Sequence, residues 1–134
     1  MRALPVLHGA DYVSYGFGFG DPGSRVVYLS DYTALLPPTE ALLDAWSAEP
    51  AGIALLVLDA LTLSRVTPVH ASLEQSVALC RRYRPAQALM VGMGEEMEHA
   101  ATNRRLRRLL AEEGLDVQLA RDGQLVPLPL RSKS

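Results

Sequence analysis

The chain has 134 residues, 49% of them hydrophobic and 21% charged, which is the material of one globular domain with a core of its own. A net charge of −2 and a pI near 5.9 give no whole-chain attraction for phosphate backbones or anionic lipid, so neither nucleic acid nor a membrane is expected as a partner. The single cysteine, Cys80, excludes an internal disulfide. No apolar run approaches the roughly 18 residues of a membrane span, and the N-terminus lacks the basic-then-apolar plan of a signal peptide, so the expected location is cytoplasmic.

In chain order, the first apolar segment covers residues 3–8. Residues 13–20 and 25–29 are rich in aromatic and β-branched side chains and flank Asp21-Pro22-Gly23-Ser24, which predicts an antiparallel hairpin. Pro37-Pro38-Thr39-Glu40 opens a short helix, started by Thr39 or by a proline in its first turn, with Trp46 on its apolar face. Residues 53–58 are apolar on both faces, as in a covered central strand, and stop at Asp59. After a loop with Pro68 and His70, Ser72 and Gln75 form a capping-box pattern for a helix to about Tyr83, with Leu73, Val77 and Cys80 on one side.

Ser72 thus reads as a helix cap rather than a nucleophile, and Cys80 as a small buried hydrophobe. Residues 86–91 form a short strand ending at Gly92-Met93-Gly94, and a helix follows from His99 to Glu113, stopped by Gly114. On it, Arg104, Arg105, Arg107 and Arg108, followed by Glu112 and Glu113, read as a solvated charged face. Glu95, Glu96, Glu98 and His99 read as a charged helix entrance rather than as metal ligands. Residues 116–120 and 124–128 around Arg121-Asp122-Gly123 predict a second hairpin, and residues 131–134 a frayed tail.

Strands alternating with helices, flanked by hairpins at both ends, give an α/β class with a mixed sheet and helices packed on it. In such sheets ligands bind beyond the carboxyl ends of strands. His8, Asp31, Asp59 and Gly92 all stand at such ends, and His70 lies in the loop after one. A histidine and a carboxylate there suit divalent-cation binding, and turn chemistry accounts for each of them alone. His70 precedes a helix start, where free N–H groups favour an anion, so it reads either as a proton donor to a phosphate intermediate or as a residue packed on the cap.

Several of these segments resemble a known family in order along the chain: Pro5-Val6-Leu7-His8-Gly9, Tyr15-Gly16-Phe17-Gly18-Phe19-Gly20, Tyr28-Leu29-Ser30-Asp31, Leu56-Val57-Leu58-Asp59-Ala60-Leu61, His70-Ala71-Ser72-Leu73-Glu74-Gln75, and Asn103 through Leu119 to Gly123. They resemble the carboxyl-terminal half of metallo-β-lactamase-fold hydrolases, in the branch of phosphodiesterases related to the cyclic ribose phosphate phosphodiesterase of bacterial phosphonate breakdown. The resemblance implies residues 1–130 as half of an αββα sandwich, two divalent cations, Zn²⁺ or Mn²⁺, at its edge, and hydrolysis of a small phosphodiester by water activated there.

Under that resemblance His8 is a ligand of one metal, Asp31 the bridging carboxylate, His70 a phosphate-binding or proton-donating catalytic residue, and Asp59 a supporting residue behind the ligands. The family's His-x-His-x-Asp-His motif has no counterpart, because His8, His70 and His99 are the only histidines. A late metal-binding histidine of related hydrolases corresponds to Gly92. The expectation is therefore a truncated domain, inactive alone and holding metal weakly or not at all. The alternatives are a hydrolase completed by dimerisation or by an amino-terminal half-domain, and a non-catalytic interaction module.

Overall fold

A computed structural model describes residues 1–95 and 97–128. Glu96 and the tail expected at 131–134 lie outside the described residues. The elements run β1 (Arg2–Leu7), β2 (Val13–Phe19), β3 (Arg25–Leu29), β4 (Ala34–Leu35), α1 (Pro37–Ser47), β5 (Ile53–Asp59), α2 (Leu73–Tyr83), β6 (Gln87–Val91), α3 (His99–Glu113) and β7 (Val117–Leu119). The strands form one mixed sheet in the order β4-β1-β2-β3-β5-β6-β7.

Direction within that sheet follows from the connections. Tight turns make β1–β2 and β2–β3 antiparallel, while β3–β5, β5–β6 and β6–β7 are parallel. Parallel neighbours need a crossover, and here α1 (with β4), α2 and α3 supply it. As a result β1, β3, β5, β6 and β7 all point the same way and end on one edge of the sheet.

One sheet face and the helices enclose the main core. Val27, Leu29, Leu56, Leu58 and Met90 meet Leu43 and Trp46 of α1, Leu73, Val77 and Cys80 of α2, and Leu106 of α3. On the edge of this layer β2 faces the helices with glycine. A Cβ on Gly18 would lie 3.0 Å from the Trp46 ring, and one on Gly16 would lie 2.5 Å from Leu29 Cδ2 and closer still to a backbone oxygen. The alternation Tyr15-Gly16-Phe17-Gly18-Phe19 is therefore fixed in register by a space that only glycine fits.

The helix boundaries follow local chemistry. At α1 the prolines start the helix: Leu36 is the cap residue, without a side-chain bond, and Pro occupies the first two helical positions. Thr39 instead donates its hydroxyl to the Pro5 carbonyl, fastening α1 to β1. At α2 the Ser72–Gln75 capping box forms in both directions, and α3 ends at Gly114 in the left-handed conformation.

The expected carboxyl-terminal hairpin is corrected by the structure. The turn is present, with the Gln124 N–H donating to the Arg121 carbonyl, but residues 124–128 form no strand. β7 pairs with β6 in parallel, and Pro127 lacks the donor a ladder on its free edge would require. Val126 and Leu128 pack on Val26, Leu55, Val57 and Leu89 on the opposite face of the sheet. No helix among the described residues is long and apolar enough to cross a membrane.

Candidate metal centre

Because β1, β3 and β5 end on the same edge, the residues after them become neighbours although they are 20 to 60 positions apart in sequence. His8 follows β1 in a turn closed by its own N–H donating to the Tyr12 carbonyl at 2.8 Å, with Gly9 at φ +94°. Its Nδ1 lies 2.7 Å from the Val69 carbonyl oxygen. A carbonyl only accepts, so Nδ1 carries the proton and Nε2 keeps the lone pair that a metal needs.

Asp31 follows β3 with φ +53°, a left-handed conformation that a residue other than glycine rarely holds without support. The support is Asp59, the last residue of β5 and only 4% exposed, whose Oδ2 accepts the Asp31 N–H at 2.7 Å. The same Oδ2 lies 3.1 Å from His70 Nδ1, so the imidazole is turned by a buried carboxylate in the way histidines around metals are oriented. His70 Nδ1 also lies 3.6 Å from Asp31 Oδ1.

The histidine loop is braced by Thr67, which accepts the His70 N–H and donates its hydroxyl to the His70 carbonyl. Behind Asp59, its backbone carbonyl accepts from the Ser76 hydroxyl, which is itself paired with the Tyr32 hydroxyl. Burial pushes the Tyr32 phenol well above its ordinary range, so it stays a neutral donor.

One ligand atom each from His8, Asp31 and His70 lies within 4.8 Å of the others, and among the described residues no other such group of three is found. Their rings are close, with the His8 and His70 centroids 5.2 Å apart. Two imidazoles with fixed tautomers and a carboxylate are the donor number of a zinc site that keeps an open position, so the set fits one divalent cation. Asp31 is open to solvent, its side chain 59% exposed.

Four sequence candidates behave as their neighbours dictate. Ser72 is spent as the α2 cap, and Glu98 accepts the Ala100 and Ala101 N–H groups at the start of α3. Those two bonds hold the Glu98 carboxyl below its ordinary value, Ala101 contributing most. His99 contacts the Ala120 carbonyl and Asn103, away from the cluster. Gly92 brings no side chain to the edge; at φ +72°, a Cβ there would stand 3.2 Å from Asp59 Oδ1. Sequence reasoning missed Tyr32 and Ser76, which are linked across the fold to each other and to the Asp59 carbonyl and so carry no spacing signal, and Thr67, whose bonds to His70 span three residues and are a local turn signal that could have found it.

No protein-family description and no curated protein matches the chain. Solved structures do. A diphosphatase of the PhnP family is 28% identical with a TM-score of 0.71, over 91% of this chain and 40% of that one. The short form of human tRNase Z (ELAC1) is 16% identical with a TM-score of 0.65, over 96% and 41%. The metallo-β-lactamase fold protein YhfI from Bacillus subtilis is 16% identical with a TM-score of 0.64, over 91% and 46%. The chain thus spans less than half the length of each. With its mixed sheet and its helices, the chain has the metallo-β-lactamase fold, of which these residues form about half a domain.

Proposed function

We propose that these residues are the part of a metal-dependent phosphodiester hydrolase that presents His8, Asp31 and His70, and that alone they do not turn over substrate. The observation that carries the reading is the convergence of three donors on one strand edge, within 4.8 Å of one another, over the buried carboxylate of Asp59. The phosphodiester class, in the cyclic ribose phosphate phosphodiesterase-like branch, rests on the sequence motifs and on likeness to a PhnP-family diphosphatase.

His8 offers Nε2 and Asp31 a carboxylate oxygen to a Zn²⁺ or Mn²⁺ ion, which when bound supplies Lewis acidity and a more acidic water. Asp59 holds both sides of the site: it keeps Asp31 in its left-handed turn and accepts a hydrogen bond from His70 Nδ1. In these residues alone His70 Nε2 is the third donor available to that ion; in a completed two-cation site it would instead, when protonated, donate to a phosphoryl oxygen or deliver a proton to the leaving alcohol. The single buried Cys80 suits a reducing, cytoplasmic setting.

Inactivity alone follows from what a two-cation site demands. With three histidines in the chain, and one of them spent at α3, the residues present satisfy one cation. The rest of the cage belongs to a second half, in a longer chain or a partner, in keeping with structural neighbours more than twice as long. The test is hydrolysis of bis(p-nitrophenyl) phosphate by the purified chain after reloading with Zn²⁺ or Mn²⁺. The expected rate equals that of the metal ion alone; turnover that disappears in His70→Ala would show a complete site and overturn the reading.

A further inference from the structure

The arginines of α3 do not all settle into the pairs that their spacing suggests. Glu113, at the end of α3, is bound from α2 by Arg81 at 2.9 Å, and Arg105 lies 4.0 Å from Glu74. Arg107 has no ion-pair partner among the described residues, and neither has Arg121 in the turn after β7.

Both guanidinium-bearing residues line one groove of about 350 Å³ between α3 and β7. Its floor is apolar, with Val117 buried and Leu110 open to solvent at 52%. The carboxylate in its wall, Asp116, already accepts from the neighbouring Gln118 Nε2 at 3.1 Å. Two unpaired guanidiniums against one engaged carboxylate leave the groove positive on a chain whose net charge is −2.

β7 ends the sheet, but its edge is not open to an added strand. The strand is three residues long, and the Leu119 N–H is taken by the Asn103 side-chain oxygen at 2.9 Å. A guest there is held by side chains rather than by a ladder. Leu106 and Val117, which also line the groove, pack in the helix-side core, so covering the opposite face of the sheet does not fill it.

We propose that this groove binds a phosphate monoester with a flat ring body, a nucleoside monophosphate being the simplest form, at a site separate from the metal centre. Guanidinium forks bind phosphate oxygens in pairs, and their planes stack on flat rings. Arg107 and Arg121 take the phosphate, and the ring lies over Leu110 and Val117 with its polar edge toward the Asp116 and Gln118 pair. A bare phosphate has no use for the apolar floor, and a neutral ring has none for two arginines. The groove's volume is within the range of small-molecule sites, about 300–1,000 Å³. Its residues share none with the His8, Asp31 and His70 cluster, so the proposal stands apart from the hydrolase reading.

The experiment is a titration of the chelator-treated, ¹⁵N-labelled chain with adenosine 5′-monophosphate, read from amide and arginine Nε resonances, beside adenosine and inorganic phosphate. The expected result is saturable shifts at residues 117–121 and Arg107, with a Kd on the order of 0.1–1 mM. Adenosine and inorganic phosphate should each bind at least about 10-fold more weakly. Arg107→Gln and Arg121→Gln, both at exposed positions, should each weaken nucleotide binding by about 10-fold at an unchanged urea midpoint. His70→Ala should bind as wild type does.

No saturable shift at millimolar nucleotide overturns the proposal, and so do shifts centred on His8 and His70. Two arginine variants that both bind as wild type does equally overturn it; if one misfolds, the other decides. Adenosine or inorganic phosphate binding as tightly as the nucleotide overturns it as well, because each lacks one half of the ligand.

Discussion

Asp59 is the residue on which the candidate centre most depends, and replacing it separates support from ligation. Its Oδ2 accepts from the Asp31 N–H at 2.7 Å and from His70 Nδ1 at 3.1 Å, in a position only 4% exposed. Hydrogen bonds to a charged acceptor contribute about 1.5–3 kcal/mol each, and the His70 side chain is 30% exposed, so water replaces part of its share. Asp59→Ala is therefore expected to cost about 2–4 kcal/mol in urea unfolding. Asp59→Asn keeps an acceptor oxygen and the shape, and should cost about 1–2 kcal/mol.

The effect on metal should exceed what stability explains. Without Asp59, Asp31 has nothing to offset a backbone strain of about 1–3 kcal/mol, and its loop relaxes away from His8. Losses of about 10- to 100-fold in Zn²⁺ affinity are expected for both variants, read by competition with a chelating dye under conditions where each remains folded. Asp59→Ala unfolding within about 0.5 kcal/mol of wild type, or both variants binding Zn²⁺ as wild type does, would refute the reasoning.

Further predictions follow from the core. Gly18→Ala places a methyl 3.0 Å from the Trp46 ring and should destabilise the fold by about 1–3 kcal/mol, visible as a lower urea midpoint; an unchanged midpoint would mean that α1 is not seated as described. Burial pushes the Cys80 thiol up to about 12, against a small opposite pull from Arg81. Because the folded form holds this proton more tightly than the unfolded chain, its stabilisation is complete below the ordinary thiol range and is lost as pH rises from about 8.5 toward 12. The loss is about 1.4 kcal/mol per pH unit. Unfolding curves at pH 8, 9 and 10 should therefore converge with those of Cys80→Ala as pH rises, and parallel curves would contradict it. The Tyr83 hydroxyl has no hydrogen-bond partner among the described residues, so Tyr83→Phe should be neutral or stabilising by up to about 1 kcal/mol in the same assay.

Much of the architecture was legible because it is written in local chemistry. The Ser72–Gln75 box, the Gly114 stop and the Asp21–Ser24 turn each act within a few residues, and each appears where the pattern predicts. The carboxyl-terminal hairpin failed because its first strand found a stronger partner in β6, a long-range choice, while Pro127 weakened the local one. The two-residue β4 is too short to leave a pattern.

At the site, strand-end placement singled out His8, Asp31, Asp59 and His70, and the fold brings these four together. What spacing could not show is the work of Asp59 on two partners, or the Tyr32–Ser76 link beneath it. Those contacts join β3, β5 and α2 through the fold rather than along the chain. The outward aromatics of β2 were visible as a strand, but which face they occupy depends on Trp46, thirty residues away in sequence.

The most direct test of the central claim is metal stoichiometry: elemental analysis of the chain after chelation, reloading with Zn²⁺ or Mn²⁺ and desalting, beside Asp31→Asn and His8→Ala. The account predicts one exchangeable ion per wild-type chain at saturating Zn²⁺ and none in either variant. Ions retained equally by all three proteins, or none held by the wild type even at millimolar Zn²⁺, would contradict it.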